Sequence, residues 1–366
     1  MSESERYEQR LIVEKPGQPM IRQEAVDEPL PDGRVEVRTE FSGLSAGTEL
    51  AAVKGTTPFA TSTWDAELGL FRPGSAAGYP IEQLGYMEVG CIVGSRVPGF
   101  TEGTRVAMTY GHRTAHRADP RVERIVPLPD DLDPMLGIYV AHAGPICANG
   151  LLHAAADLYG EVRTLGDGVR GRRVVTIGAG MVGLLTALFA RHHGAASDVV
   201  VDPTPERRAV AEALGLETLD PDAEDPALVL KTRWRHAAAD HGADVVFQCR
   251  GRAEALALAL RLLRPQGSVI DLAFYQGGAD AVRLGEEFHH NGLSVRCAQI
   301  GRVPRGTAHA WDRDRLSAET VELLRADGEA IRNHLITDVV PFDEAPEHLV
   351  ALAERRRSSV QTVFTF

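Results

Sequence analysis

The chain has 366 residues, of which 44% are hydrophobic and 25% are charged, and its formal net charge is -12. This length exceeds one compact core and predicts about two domains, and the composition excludes wholesale disorder. The acidic excess disfavours nucleic acid as a partner, because a negative surface repels phosphates.

The cysteines and the N-terminus bear on the compartment. Cys91, Cys147, Cys249 and Cys297 are widely separated, which fits a reducing environment better than a disulfide framework. The polar N-terminus lacks the apolar core of a signal peptide, and no stretch approaches the ~18 apolar residues of a membrane helix. We therefore predict a cytoplasmic protein with no membrane partner.

The chain has two regions that differ in composition and in hydrophobic pattern. The first ~150 residues contain many glycines, prolines and short β-prone runs such as 35–38 and 90–93, which predicts a mostly β domain. From Gly171 onward, apolar strands alternate with alanine-rich helices. The strands are predicted at 174–177, 198–202, 243–249, 268–274 and 294–300, and the helices at 181–193, 205–214 and 254–263. This alternation predicts an α/β fold with a parallel, doubly wound sheet.

A glycine-rich loop, Gly178-Ala179-Gly180-Met181-Val182-Gly183, joins the first of these strands to the first helix. The first glycine permits a tight turn, the second lets backbone N–H groups approach a pyrophosphate, and the third allows close helix packing. The positive end of the helix dipole then favours phosphate. A structural glycine turn is the alternative, but the order of strand, loop and helix favours a dinucleotide site.

Asp202 is the predicted determinant of cofactor choice. It ends the second strand, 19 residues after Gly183, at the spacing of the acid that accepts the adenosine ribose hydroxyls. A carboxylate there repels the 2′-phosphate of NADP, although Arg207 or Arg208 could accommodate that phosphate. We predict NAD, with NADP less favoured. The predicted binding residues are Gly178, Gly180, Met181, Val182, Gly183, Asp202 and Arg207.

These motifs, together with segments such as Ser45-Ala46-Gly47-Thr48-Glu49 and Gly85-Tyr86-Met87, resemble the medium-chain dehydrogenase/reductase superfamily, which includes the zinc alcohol and polyol dehydrogenases. The similarity covers nearly the whole chain. It implies a GroES-like, mostly β domain at 1–150, completed by 303–366, and a Rossmann domain at 151–302. It also implies a homodimer formed through the edge strand near 294–300, and a small-molecule substrate.

The resemblance breaks at the zinc ligands of the family. Ser45 stands where zinc-bearing members have a cysteine, Tyr86 stands where they have a histidine, and the third position falls near Gly144. The cysteine-rich lobe of the structural zinc is also missing. Since these residue types do not supply the nitrogen, sulfur or carboxylate ligands of Zn²⁺, we predict no metal. The chain thus resembles a branch of the superfamily that lacks both the catalytic and the structural zinc ligands.

Without zinc, a hydrogen-bond donor or general acid must stabilise the charge that hydride transfer leaves on a carbonyl oxygen. Tyr86 is one candidate, because its phenol replaces the histidine ligand; a ring that simply fills the vacated pocket is the alternative. Thr48 is another. By the resemblance it lies beside Gly47, the position of the hydroxyl that begins the proton relay of the family, and a turn residue is the alternative.

Three further residues are candidates for acid–base work. His142, near the third ligand position, is preferred because histidine titrates near neutral pH, although a histidine bonded at a domain junction explains it equally well. His112 is the second, and metal binding together with His116 is disfavoured because a loop or strand is expected there. Glu49 would orient Tyr86, bind a substrate hydroxyl, or only cap a nearby helix.

Three functions remain as alternatives. The leading one is a zinc-independent, NAD(H)-dependent oxidoreductase that interconverts an alcohol and a ketone or aldehyde on a functionalised small molecule. The second is a zinc-free enoyl- or quinone-type C=C reductase, in which hydride attack needs less help from a proton donor. The third is a catalytically silent nucleotide-binding protein. A catalytic histidine favours the first, and the intact phosphate loop disfavours the third.

Overall fold

The computed structural model describes residues 7–26, 28–57, 59, 62–74 and 78–366. Within these residues the strands are β1 Tyr7–Lys15, β2 Gln18–Ala25, β3 Val35–Gly43, β4 Ser62–Asp65, β5 Leu70–Pro73, β6 Glu88–Ser95, β7 Arg105–Met108, β8 Ala115–Ala118, β9 Val126–Pro127, β10 Arg173–Ile177, β11 Ser197–Val201, β12 Glu217–Leu219, β13 Arg235–Ala237, β14 Asp240–His241, β15 Ala243–Gln248, β16 Leu263–Asp271, β17 Ser294–Cys297, β18 Ile336–Pro341 and β19 Gln361–Thr365. The α-helices are α1 Ala46–Lys54, α2 Ala143–Leu158, α3 Met181–His192, α4 Pro205–Ala213, α5 Pro226–Arg233, α6 Ala253–Leu262, α7 Arg313–Ala330 and α8 Ala345–Ala353. In this described part of the chain, none of the helices combines the length and the apolar character that a membrane span requires.

The chain divides into two compact units. The first consists of Met1–His142 and Ile336–Phe366, and the second of Ala143–Leu335. These bounds differ from the expected 1–150 with 303–366 and 151–302. The difference arises because α2 packs on α3 and α7, so that all three helices belong to the second unit. The tail that returns to the first unit therefore starts at β18 instead of at residue 303.

The first unit is a β structure around a seven-stranded sheet, in the order β18-β19-β3-β6-β7-β9, with β8 also paired to β3. Alternate residues of β3, Val35 and Val37, are completely buried, as expected for a strand with one face on a core. The tail strand β19 pairs antiparallel with β3, Val363 opposite Gly43. Backbone hydrogen bonds thus hold the C-terminal tail in the sheet of the first unit.

Residues 62–73 of the first unit form a hairpin within the long segment 55–79. Strands β4 and β5 pair with Trp64 opposite Phe71, whose rings have centroids 5.0 Å apart. Both rings are nearly half exposed, at 46% and 48%. Residues 58, 60–61 and 75–77 of this segment lie outside the described residues.

The second unit is a six-stranded parallel sheet in the order β12-β11-β10-β15-β16-β17, with helices between successive strands. Strands β10 and β11 bury their valines completely, for example Val175 and Val199, because a parallel sheet is covered on both faces. The predicted α/β class, with a mostly β unit beside a doubly wound parallel sheet, is confirmed. Strand β17 lies at the edge of the sheet, as predicted.

Candidate active site

A pair of hydroxyl groups marks the start of α1. Ser45 precedes this helix as its N-cap residue, a place where serine usually accepts a hydrogen bond from its own helix. Among the described residues, the Ser45 hydroxyl makes no such capping bond. It is hydrogen-bonded instead to the phenol of Tyr86. The two side chains that occupy the first two predicted zinc-ligand positions are therefore in direct contact.

Tyr86 also contacts His142. The two ring centroids are 4.7 Å apart and the planes meet at 65°, an edge-type aromatic contact. Both residues are half-buried. Tyr86 follows Gly85, whose φ of +98° lies in the left-handed region that favours glycine. The structure thus brings together Tyr86 and His142, two residues predicted to be catalytic, and adds Ser45, which the sequence marked only as a lost ligand.

Two other predicted catalytic residues, Glu49 and His112, form a buried ion pair. The imidazole Nε2 of His112 lies 2.7 Å from Oε2 of Glu49, and their side chains are 0% and 2% exposed. The other carboxylate oxygen of Glu49 accepts the backbone N–H of Ser45 at 2.7 Å. Neither side chain is accessible to a substrate in this structure. A direct acid–base role for Glu49 and His112 stays a prediction that their burial does not favour.

Ser42 and Glu88 complete this buried cluster. Ser42 Oγ is hydrogen-bonded to Nδ1 of His112 and donates to Oε1 of Glu88 at 3.3 Å. Burial raises the pKa of Glu88 to about 7, and the nearby His112 counteracts part of that rise. Burial alone lowers the pKa of His112, but the carboxylates of Glu49 and Glu88 outweigh it and raise that pKa above its usual value. Both shifts follow from burial, which disfavours the charged form of each group, and from the opposite charges that lie close by.

The sequence missed the roles of Ser42 and Glu88. A charged residue at the start of the apolar run 87–93 was the available signal for Glu88, because an unpaired carboxylate is rarely buried. Nothing local distinguished Ser42. Thr48, by contrast, lies exposed in the first turn of α1, where its backbone N–H donates to the Ser45 carbonyl at 3.1 Å. Its catalytic role remains a prediction without a supporting contact.

The glycine loop of the second unit has the geometry of a phosphate cradle. Gly178 adopts a φ of +102°, and a Cβ on Gly183 would lie 1.7 Å from the Gly178 carbonyl oxygen. At Gly180, apart from this residue and its two chain neighbours, no heavy atom of the described residues lies within 4 Å of the place that a Cβ would take. Met181 and Val182 begin α3 directly after it, so the unpaired N–H groups of the helix N-terminus point to this space. The loop therefore fits the pyrophosphate of a dinucleotide.

Asp202 braces this loop. Its Oδ2 accepts the N–H of Ala179 and its Oδ1 accepts the N–H of Thr204, each at 2.8 Å, and the residue is 1% exposed. Both oxygens of Asp202 are thus engaged within the fold, and its contact with the ribose hydroxyls stays a prediction that its burial does not favour. Arg208 is occupied within the fold, because it donates to the Asp202 carbonyl at 2.7 Å and pairs with Asp220 at 2.7 Å. Arg207, in the first turn of α4, is the arginine left for a 2′-phosphate.

The third predicted zinc-ligand position offers no donor. Gly144 lies in the first turn of α2, where this helix meets α7, and a Cβ there would lie 2.2 Å from Cγ2 of Thr320. Glycine is required by that close approach. Within the described part of the chain, no three histidine, cysteine or acidic side chains are grouped as a metal site. A serine hydroxyl, a phenol and a glycine do not fit Zn²⁺.

Comparison with protein families and curated proteins supports a dehydrogenase. A family model described as zinc-binding dehydrogenase matches residues 181–313, a segment that contains none of the three positions of Ser45, Tyr86 and Gly144. The D-guloside 3-dehydrogenase of Escherichia coli (strain K12) is 28% identical over 91% of this chain and 93% of its own length. The L-galactonate-5-dehydrogenase of the same organism is 28% identical over 54% of this chain and 52% of its own.

Solved structures share the fold over almost the full length. Galactitol-1-phosphate dehydrogenase from Escherichia coli superposes with a TM-score of 0.74 at 17% identity, covering 98% of this chain and 100% of that one. A zinc-binding dehydrogenase from Sinorhizobium meliloti 1021, bound to NADP, superposes with a TM-score of 0.72 at 20% identity. The match covers 99% of this chain and 100% of that one. The predicted resemblance to medium-chain dehydrogenases and the predicted enzyme class, an alcohol dehydrogenase or ketone reductase, are confirmed by these matches, whereas the branch without zinc ligands stays a prediction.

Proposed function

We propose that this chain, which is similar to dehydrogenases of the medium-chain type over most of its length, is a zinc-independent, NAD(H)-dependent dehydrogenase. It interconverts a secondary hydroxyl and a ketone on a polyhydroxylated, sugar-like small molecule. The observation that carries this proposal is the hydroxyl pair of Ser45 and Tyr86, at the two positions where zinc-bearing relatives have metal ligands.

The pair supplies proton chemistry at the substrate oxygen. Oxidation removes a hydride from the carbinol carbon and a proton from its oxygen, and a bound NAD⁺ supplies the hydride acceptor. Tyr86 takes the hydroxyl proton as a phenolate, or returns it to the ketone oxygen in the reverse direction. Ser45 donates its hydroxyl hydrogen to the Tyr86 oxygen and so stabilises the negative charge there. The proton then leaves Tyr86 for solvent, and His142, whose ring lies edge-on to that of Tyr86, stays the predicted acid–base group beside the pair.

Cofactor choice rests on the second unit. The open space at Gly180 suits a pyrophosphate, and the Asp202 carboxylate at the end of β11 repels the 2′-phosphate of NADP. Arg208 is already engaged with Asp220, which leaves Arg207 as the residue that would have to override Asp202. These contacts support NAD over NADP.

The substrate class is supported by the curated relatives. The D-guloside 3-dehydrogenases extend over 91% of this chain, and their name specifies a hydroxyl of a sugar ring. A polyhydroxylated substrate is proposed on that ground. A cytoplasmic homodimer joined along the exposed edge strand β17 completes the proposal, and light scattering of the purified protein would measure the dimer.

The test uses the full chain, dialysed against a chelator. It is assayed with NAD⁺ and NADP⁺ against a panel of glycosides, hexitols and simple secondary alcohols. We expect turnover with NAD⁺ on a polyhydroxylated compound without added zinc. Tyr86→Phe, which keeps the ring beside His142, should lower kcat about 10²-fold or more. Tyr159→Phe, which removes an exposed phenol of the second unit, should leave kcat unchanged.

Each alternative has its own outcome. Activity that returns only with zinc would contradict the metal-free mechanism. Reduction of enones or quinones without alcohol oxidation would make the chain a C=C reductase. Nucleotide binding with no turnover on any compound would leave a silent nucleotide-binding protein.

A further inference from the structure

A buried cluster of ionisable side chains is joined to the hydroxyl pair through the backbone N–H of Ser45. Glu49, Glu88 and His112 are all essentially unexposed, and burying charged groups is costly even when they are paired. Replacement by apolar side chains is often neutral or stabilising. We therefore ask which neighbouring residues Glu49 and His112 hold in position.

Glu49 holds Ser45. Its Oε1 accepts the Ser45 backbone N–H at 2.7 Å, so the carboxylate fixes the backbone at the start of α1. This bond is independent of the Ser45 hydroxyl, which remains available for Tyr86. In an ordinary N-cap the serine hydroxyl would bind its own helix. Glu49 thereby anchors Ser45 while its hydroxyl points to the site.

His112 holds the segment that leads into Tyr86. A Cβ on Gly85 would lie 2.8 Å from Cε1 and Nε2 of the His112 ring, so the imidazole packs directly against that glycine. The backbone N–H of His112 also donates to the Leu84 carbonyl at 2.8 Å. The ring therefore fixes the path of the chain one residue before Tyr86.

Both ring nitrogens of His112 are hydrogen-bonded. Its Nδ1 bonds to Oγ of Ser42, and its Nε2 lies 2.7 Å from Oε2 of Glu49. The ring of Phe364 meets the imidazole edge-on, with 5.1 Å between the two centroids. These contacts fix the imidazole in the place where it packs against Gly85.

We propose that Glu49 and His112 form a positioning pair, which holds the Ser45 and Tyr86 hydroxyls in contact without touching substrate. This inference rests on the proposed function of the hydroxyl pair. It assigns to Glu49 and His112 a role distinct from acid–base catalysis, because each acts through a neighbour: Glu49 through the Ser45 N–H and His112 through Gly85.

The test is a double-mutant cycle on kcat between Glu49→Ala and Tyr86→Phe. In the wild-type background, Glu49→Ala should lower kcat about 10- to 100-fold, since a misplacement near 1 Å costs that much, with KM and the NADH Kd unchanged. In the Tyr86→Phe background the same change should cost less than about twofold, because no phenol remains to be positioned. Glu49→Gln, which keeps an acceptor for Ser45, should restore most of kcat.

A second readout needs no substrate. In the ligand-free protein, the ring-carbon NMR signal of Tyr86 should move in Glu49→Ala by the same amount as in Ser45→Ala, because both lose the hydroxyl contact. Glu40→Ala serves as the matched control, since it breaks a half-exposed ion pair with Arg105 (2.8 Å) on the same sheet. It should change neither kcat nor the Tyr86 signal.

The outcomes separate this inference from the proposed function. If Tyr86→Phe leaves kcat unchanged, the proposed function fails. If Tyr86→Phe lowers kcat but Glu49→Ala costs the same factor in both backgrounds, the positioning pair is overturned while the function stands. Should Glu49→Ala not fold, Glu49→Asp, one methylene too short to reach both Ser45 and His112, enters the same cycle.

Discussion

The buried carboxyl of Glu88 makes the stability of this protein depend on pH. Burial raises the pKa of Glu88 to about 7 from its ordinary 4.5. In the unfolded chain this carboxyl ionises first, so the free energy of unfolding falls as pH rises from about 4.5 through about 7. At 1.36 kcal/mol per pKa unit, the loss amounts to about 3 kcal/mol. Glu88→Gln removes the ionisation and should abolish this loss.

The assay is urea unfolding followed by far-ultraviolet circular dichroism between about pH 4.5 and pH 8. The difference between Glu88→Gln and wild type should grow by about 3 kcal/mol in favour of the variant over that range. His112, whose pKa the fold raises, also loses its stabilising effect as pH rises; because Glu88 contributes to that raised pKa, Glu88→Gln reduces this loss too and shifts the difference in the same direction. Glu102→Gln, at an exposed position, should run parallel to wild type. Parallel curves for Glu88→Gln as well would refute the reasoning.

Four further changes test the nucleotide loop and the zinc argument. Gly183→Ala should lower Tm and abolish NADH binding, because its Cβ would meet the carbonyl of the first loop glycine at 1.7 Å. Gly180→Ala should keep Tm and lower NADH affinity about tenfold in a fluorescence titration, since it fills open space. Asp202→Ala leaves two backbone N–H groups without their acceptor; it should cost about 1–3 kcal/mol of unfolding free energy and weaken the preference for NADH over NADPH. Gly144→Glu should not create zinc binding by elemental analysis, and it should lower Tm, because α7 leaves no room for a side chain there.

The hydroxyl pair of Ser45 and Tyr86 was predicted from the sequence only in part. Alignment with family positions singled out Ser45 and Tyr86 as non-ligands, and that inference needed only residue identities. Their contact spans 41 residues and closes only when α1 is placed beside the turn before β6. The Glu49–His112 pair spans 63 residues, and His112 precedes β8 without any local pattern that predicts a partner.

The sequence by itself determined the elements whose causes are local. The period of the hydrophobic residues and the spacing of the glycines defined the alternating strands and helices and the phosphate loop. They also defined Asp202, the acid that follows this loop at the expected spacing. Each of these features depends on neighbours within about 20 residues. Tertiary structure alone decided that the tail starts at β18, that α2 and α7 press together at Gly144, and that Glu88 and His112 share one buried cluster. These depend on which faces pack together and on the loss of water around a charge, neither of which is encoded in a short stretch of chain.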